Sequence, residues 1–426
     1  MARIFQLVGE QFLPVPGELL QISAGNRQSV WGINASSEIF RFNTTTGRFE
    51  QVPGQLTSIA VGRDDIVGVF GINAASDIFH FLPGTGSFEQ VPGQLTSISV
   101  GQLTLVWGIN KSSDIFRGFP DNTFDQVPGK LTSISAGADG TVWGINASSG
   151  IFRFNATTRS FEQVPGSLAS ISAAADGTAW GINAASEVFR FNASTQSFEQ
   201  VPGSLASISA AADGTAWGIN AASEVFRFDP GSGSFEQVPS ILNRVAASTD
   251  GSVWGINESE PPFVEPDQLD FNFFPVTFPD GTPVGGAIHL TLLRTGDYVF
   301  TGNFHDSGLT AFDLSIMVGV KDIANNLFSF SPAQGHVAGT LDSGSPDYIW
   351  NIPGHHPLVA QNWRTLAAGS TARPAASAEV DLDGLIDTLI GEFSTVVGLI
   401  PILFGGQPTA PDGSDGSGDS NTSPAN

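Results

Sequence analysis

The 426-residue chain has no cysteine, which excludes disulfides and any thiolate-based metal or redox centre. Basic residues are scarce: 17 Lys and Arg stand against 41 Asp and Glu, a net charge of -24. Nucleic acid and anionic bilayers attract proteins through Lys and Arg, so this balance argues against both as electrostatic partners. Only 14% of residues are charged, yet no apolar run is long enough to read as a transmembrane helix. The first ten residues lack a basic segment followed by an apolar core. A cytoplasmic protein, or one released without a standard signal peptide, is therefore expected. What the chain does have is glycine, 50 residues, and 10% aromatics, which suits turn-rich β-structure rather than disorder.

One phrase recurs, Val-Trp-Gly-Ile-Asn. Its Trp slot falls at Trp31, Phe70, Trp107, Trp143, Trp180, Trp217 and Trp254, in steps of 39, 37, 36, 37, 37 and 37 residues. A fixed period of this size marks a repeat architecture. Each unit reads as four short strands. In the unit 161–191 they are Phe161–Val164, Leu168–Ser172, Ala179–Asn183 and Val188–Phe191, separated by Pro165-Gly166, Asp176-Gly177 and a polar turn. Four strands in about 37 residues is one propeller blade. The fourth strand is missing after Asn257, where Pro261-Pro262 follows, and its counterpart Ile4-Phe5-Gln6-Leu7 stands at the other end of the chain. The N-terminal strand is therefore expected to complete the last blade. The count is seven blades, with six as the alternative. Units 161–191 and 198–228 are identical, so pockets between blades should recur, which favours a multivalent binder over an enzyme.

The motif F-E-Q-V-P-G-x-L-x-S-I-S-x-x-x-D-G-T-x-W-G-I-N-x-x-S-x-I/V-F-R-F, spread over residues 1–257, resembles the tectonin family of β-propeller lectins. The resemblance implies a ring lectin with sugar sites between adjacent blades. It further implies glycans of bacterial or nematode surfaces as partners, either O-methylated sugars or lipopolysaccharide. The chain departs from six-repeat members in showing seven units and in carrying a long C-terminal extension.

The Trp slot reads as blade-to-blade core, because Phe70 replaces it in one copy. Gly144 and its equivalents would let the next blade approach closely. Three polar slots at the blade rim are the carbohydrate-binding candidates. The first is the Asn ending the third strand: Asn34, Asn73, Asn110, Asn146, Asn183, Asn220 and Asn257. The second is the acid before the fourth strand: Glu38, Asp77, Asp114, Glu187 and Glu224, with Gly150 in its place once. The third is the base within that strand: Arg41, His80, Arg117, Arg153, Arg190 and Arg227. Amide, carboxylate and guanidinium together match the donor and acceptor character of sugar hydroxyls. The alternative is structural: the Asn caps its turn, and the acid pairs with the Arg as a tie between blades.

After the ring, residues 258–267 read as a rigid acidic linker with three prolines. Residues 268–375 read as a small β-sandwich or barrel, with strands Ala287–Leu293, Tyr298–Phe304, Phe312–Val320, Leu327–Phe330 and His336–Leu341. This stretch holds His289, His305, His336, His355 and His356, but no H-E-x-x-H spacing and no G-x-S-x-G turn. Residues 376–404 read as an amphipathic helix, built from Leu382, Leu385, Ile386, Leu389, Ile390 and Phe393 and continuing to Ile400. It either covers a sheet face or contacts a partner or membrane. Residues 405–426 read as a disordered tail. The expected whole is an all-β, non-enzymatic, multivalent lectin with neither metal nor cofactor. The rival readings are a protein-interaction scaffold and a lectin-guided toxin acting through its C-terminal part.

Overall fold

The structure is a computed structural model and describes residues 2–62, 68–101, 105–211, 214–278, 281–331, 335–379, 382–393 and 396–403. It divides into two compact units, 1–265 and 266–426.

Among the described residues, the first unit is a run of four-stranded antiparallel sheets of the β-propeller blade type. Sheets 1 to 6 span residues 21–55, 58–94, 97–130, 133–167, 170–204 and 207–241. A further sheet joins Arg244–Ala247 and Val253–Asn257 to the N-terminal strands Arg3–Val8 and Gln11–Glu18. In it Ile4 stands opposite Ile256 and Gln6 opposite Trp254. Each sheet's innermost strand packs on the next, and Arg244–Ala247 packs on Gln21–Asn26 of sheet 1.

The repeated phrase explains the packing. Trp143 is fully buried between sheets 4 and 5, edge-on to Phe191 (4.6 Å between centroids) and Phe198 (5.4 Å). Trp31, Trp107, Trp180 and Trp254 repeat this arrangement against the next sheet's two Phe rings. The glycine has a different reason from the one expected. A Cβ on Gly144 would lie 2.3 Å from Cδ1 of Leu131, the residue leading into the innermost strand of its own sheet. It is the connecting leucine, rather than a neighbouring blade as such, that excludes a side chain there.

The stretch read as a linker does not stand free. Arg3 Nη1 pairs with Glu260 at 2.8 Å, Arg48 Nη2 with Glu265 at 2.6 Å, and Phe263 bridges to Pro16 and Gly17. Ion pairs and backbone contacts therefore hold residues 260–265 to the first unit.

In the second unit, a sheet ordered Gln268–Thr277, Val284–Leu293, Asp297–Asp306, Asp347–His355 shares one core with a sheet built around Phe312–Lys321. The reading of 376–404 as one helix is corrected. Residues 376 and 377 belong to the strand Thr371–Ser377, the helix runs only over Leu382–Glu392, and Gly398–Leu403 is a strand parallel to Asn326–Ser331. Val396, Val397 and Pro401 explain the early end: β-branched residues favour strands, and proline cannot sit inside a helix. The helix's apolar face is occupied, since Leu385, Leu389 and Phe393 pack with Met317, Leu327 and Ala375. No described helix is long and apolar enough to cross a membrane. The tail 405–426 lies outside the described residues.

Candidate functional site

The three predicted polar slots separate into two systems. Neighbouring strand residues face opposite sides, so Glu38 and Arg41, three apart, cannot share a face. The Asn and the acid build a turn. Asn34 Oδ1 accepts the backbone N–H groups of Ser36 (3.0 Å) and Glu38 (2.9 Å), and its Nδ2 donates to Glu38 Oε2 at 2.6 Å. This holds Ser37 at φ 64°, and the same positive φ recurs at Ser76, Ser113, Ser149, Ser186 and Ser223. The amide–carboxylate bond recurs as Asn73–Asp77, Asn110–Asp114, Asn183–Glu187 and Asn220–Glu224. Asn146 keeps the turn through the N–H of Gly150 at 2.8 Å, without an acid. Buried Asn257 instead donates to Ile241 O and Glu260. A glutamine of the outer strand donates to the acid's other oxygen, as Gln51 does to Glu38 and Gln200 to Glu187, both at 3.2 Å. In sheet 3, hydrogen bonds from Lys130 and Asn110 hold the Asp114 carboxyl below the usual range.

The bases lie on the other face. Arg41 stands opposite Trp31 on one side and Glu50 on the other, and its guanidinium lies 5.5 Å from the Trp31 ring centroid. Arg117, Arg153, Arg190 and Arg227 lie over Trp107, Trp143, Trp180 and Trp217 in the same way. Where Phe70 replaces the Trp, His80 replaces the Arg, and the two rings stack at 4.1 Å and 3°. Ring and base change together because they form one cross-strand stack.

The guanidinium does share a cleft with an amide and a carboxylate, but not those the sequence reading selected. Glu50 Oε1 accepts from Asn43 Nδ2 at 2.8 Å and Thr46 Oγ1 at 3.2 Å, beside Arg41. Sheet 4 repeats the set with Asn155, Thr158 and Glu162, and sheet 5 with Asn192, Thr195 and Glu199. A cleft of about 400 Å³ is lined by Arg41, Asn43, Glu50 and Gln51 in sheet 1. Another of about 400 Å³ is lined by Arg190, Asn192, Glu199 and Gln200 in sheet 5, and reaches Phe228 of sheet 6. The missed signal is the exposed Glu-Gln of F-E-Q-V-P, retained in five of the seven units although neither residue is needed for burial.

The histidines of the second unit are structural partners. His305, His336 and His355 each face a carboxylate across a ladder, Asp347, Asp313 and Asp297, at 2.7, 2.8 and 2.8 Å. His356 caps the helix Pro357–Gln361 by accepting the N–H of Leu358. Among the described residues no group of three or more His, Asp and Glu is placed to hold a metal ion.

Successive four-stranded sheets with a Trp between neighbours define a β-propeller repeat protein. A family model for the tectonin domain matches residues 1–119 and 106–268. The chain belongs to the tectonin domain family. Solved structures similar to it include YCF48 bound to D1 peptide, at 13% identity over 59% of this chain and 95% of that one, with a TM-score of 0.45. YCF48 from Cyanidioschyzon merolae is 10% identical over 61% and 100%, with a TM-score of 0.45. A protein of unknown function from Bacteroides thetaiotaomicron VPI-5482 is 8% identical over 60% and 90%, with a TM-score of 0.34. No curated protein matches the chain.

Proposed function

We propose that this chain is a multivalent carbohydrate-binding protein without catalytic activity. In this reading the first unit is a seven-bladed ring closed by the strand Arg3–Val8, and the second is a small β-sandwich appended to it. The observation that carries the reading is the recurrence of one polar cleft in different sheets, with the same guanidinium, amide and carboxylate and the same volume. Paired donors and acceptors beside aromatic rings suit sugar hydroxyls. Several weak sites on one ring raise apparent affinity for a glycan-coated surface by about 10²–10⁴. Bacterial or nematode surface glycans are the partners this reading assigns.

The test is a glycan array probed with the full chain and with a variant carrying Glu50→Gln, Glu162→Gln and Glu199→Gln. Glycan binding by the wild type, competed by the free sugar and weakened in the variant, is the expected result. A folded full chain that ignores every glycan sinks the reading and favours a protein-interaction scaffold.

A further inference from the structure

The junction between sheets 2 and 3 breaks the repeat. Around the ring, the outer strands of adjacent sheets pack on one another at every other junction, including Gln11–Glu18 against both Ser234–Ile241 and Arg48–Gln55. Ser87–Gln94 and Phe124–Lys130 do not make this close approach. The cause is visible in the unit itself. Sheet 3 has Gly118 where sheets 4 and 5 carry Phe154 and Phe191, and its turn to the outer strand is shorter than theirs. Phe124 swings over the vacated position: a Cβ on Gly118 would lie 2.9 Å from Phe124 Cε1. Between the two sheets a cleft of about 740 Å³ opens, larger than the repeated clefts of about 400 Å³.

Its chemistry also differs. The repeated clefts each contain a guanidinium; this one is lined by carboxamides (Gln90, Gln94, Asn110, Asn122), one carboxylate (Asp77) and an aromatic pair (Phe116 and Phe124), with no Lys, Arg or His. Among the described residues, the buried Oδ1 of Asn122 accepts no hydrogen bond. A cation-free cleft on a chain of net charge -24 repels anions. Carboxamides supply donors and acceptors together, and the half-buried rings of Phe116 and Phe124 add apolar surface that suits the C–H faces of sugar rings.

We propose that this junction is a second, singular site that takes an uncharged oligosaccharide segment longer than the unit held by the repeated clefts. The proposal rests on the carbohydrate reading of the ring and adds a site that the repeat pattern does not contain. A volume of about 740 Å³ lies within the range of dedicated ligand pockets. The gap leaves the cleft open along the outer strands, so a chain can extend beyond it.

The experiment titrates the full chain with chitotriose, cellotriose and mannotriose, and with trigalacturonate as the anionic counterpart, by calorimetry. Thr123→Trp plugs the cleft, and Gly118→Phe restores the repeat residue and drives Phe124 into the gap. Arg190→Ala alters a repeated cleft and the stack on Trp180, both of them in sheet 5 rather than at this junction. Circular dichroism confirms that each variant is folded. The expected result is one uncharged trisaccharide per chain, weakened at least about tenfold, the loss of some 1.4 kcal/mol, by Thr123→Trp or Gly118→Phe. Arg190→Ala leaves this binding unchanged, and trigalacturonate binds at least about tenfold more weakly. Trisaccharide binding that survives both plugging variants, disappears in Arg190→Ala or is matched by trigalacturonate overturns the proposal. Absence of all trisaccharide binding from a chain that is positive on a glycan array overturns it and leaves the multivalent reading standing. A chain negative on both overturns both, and displacement of the sugar by an uncharged peptide reassigns the cleft to protein.

Discussion

Replacing Trp143 tests whether the repeated indole serves packing alone. The side chain is fully buried, and its Nε1 is buried without a hydrogen-bond partner. Trp143→Ala removes the ring contacts with Phe191 and Phe198 and the platform under Arg153, and is expected to cost about 3–5 kcal/mol. Trp143→Phe has two opposing effects. It weakens edge contacts worth about 0.5–1.5 kcal/mol each, but it also deletes an unpaired buried N–H whose burial costs about 1–3 kcal/mol. The two nearly cancel, so the net change should lie within about 1 kcal/mol, in keeping with Phe70 at the equivalent place in sheet 2. For a unit of this size, 1 kcal/mol moves the melting temperature by about 2–4 °C. Calorimetric melting should therefore drop by roughly 6–20 °C for Trp143→Ala and by no more than about 4 °C for Trp143→Phe. If Trp143→Phe proves as damaging as Trp143→Ala, the indole N–H has an acceptor in solution and the packing-only argument is wrong.

The other predictions concern coupling, ring closure and the second unit. Trp143→Phe combined with Arg153→His recreates the Phe70–His80 stack and should show a favourable coupling of about 0.5–1.5 kcal/mol in a double-mutant cycle on melting. Ile4→Ala, at a fully buried position of the N-terminal strand, should cost about 2–5 kcal/mol in urea unfolding if that strand completes the last sheet; a neutral result would refute this. For Asp250, desolvation raises the carboxyl pKa, but hydrogen bonds from Ser248, the Arg27 N–H and Ser252 outweigh it and hold the group far below its usual value. A carboxylate depressed in the folded state stabilises above the unfolded pKa of about 3.9, and that stability is lost as pH falls toward the folded value. The midpoint of urea unfolding should therefore fall below about pH 4 in the wild type and change less in Asp250→Asn. In the second unit, Leu389→Ala should cost about 2–5 kcal/mol, because that helix face is core. For the same reason the full chain should not release dye from vesicles, and leakage would mean that the helix leaves its sheet.

Much of the first unit was legible because its signals are local and periodic. The spacing of V-W-G-I-N marked each four-stranded sheet, the Trp-to-Phe exchange at position 70 marked a packing slot, and the stray Ile4-Phe5-Gln6-Leu7 matched the strand absent after Asn257. Side-chain direction was less legible. Asn34, Glu38 and Arg41 looked like one constellation because they lie close in sequence, yet strand alternation sends the arginine to the opposite face. Its neighbours there are Asn43, two residues further along the same strand, and Glu50, which comes from the next strand across a turn. The cleft between sheets 2 and 3 was not legible either. A one-residue shortening and a Phe-to-Gly change look minor in a repeat, but their effect depends on how two outer strands meet in space. At the C-terminus an apolar run suited helix and strand alike, and the choice was made by pairing with Asn326–Ser331, about seventy residues earlier. Composition, period and exchangeability therefore determined the class of fold and the core. Which polar groups share a face, where two outer strands part and which apolar run becomes a strand were decided only by tertiary structure, because each depends on contacts between residues that the chain order keeps apart.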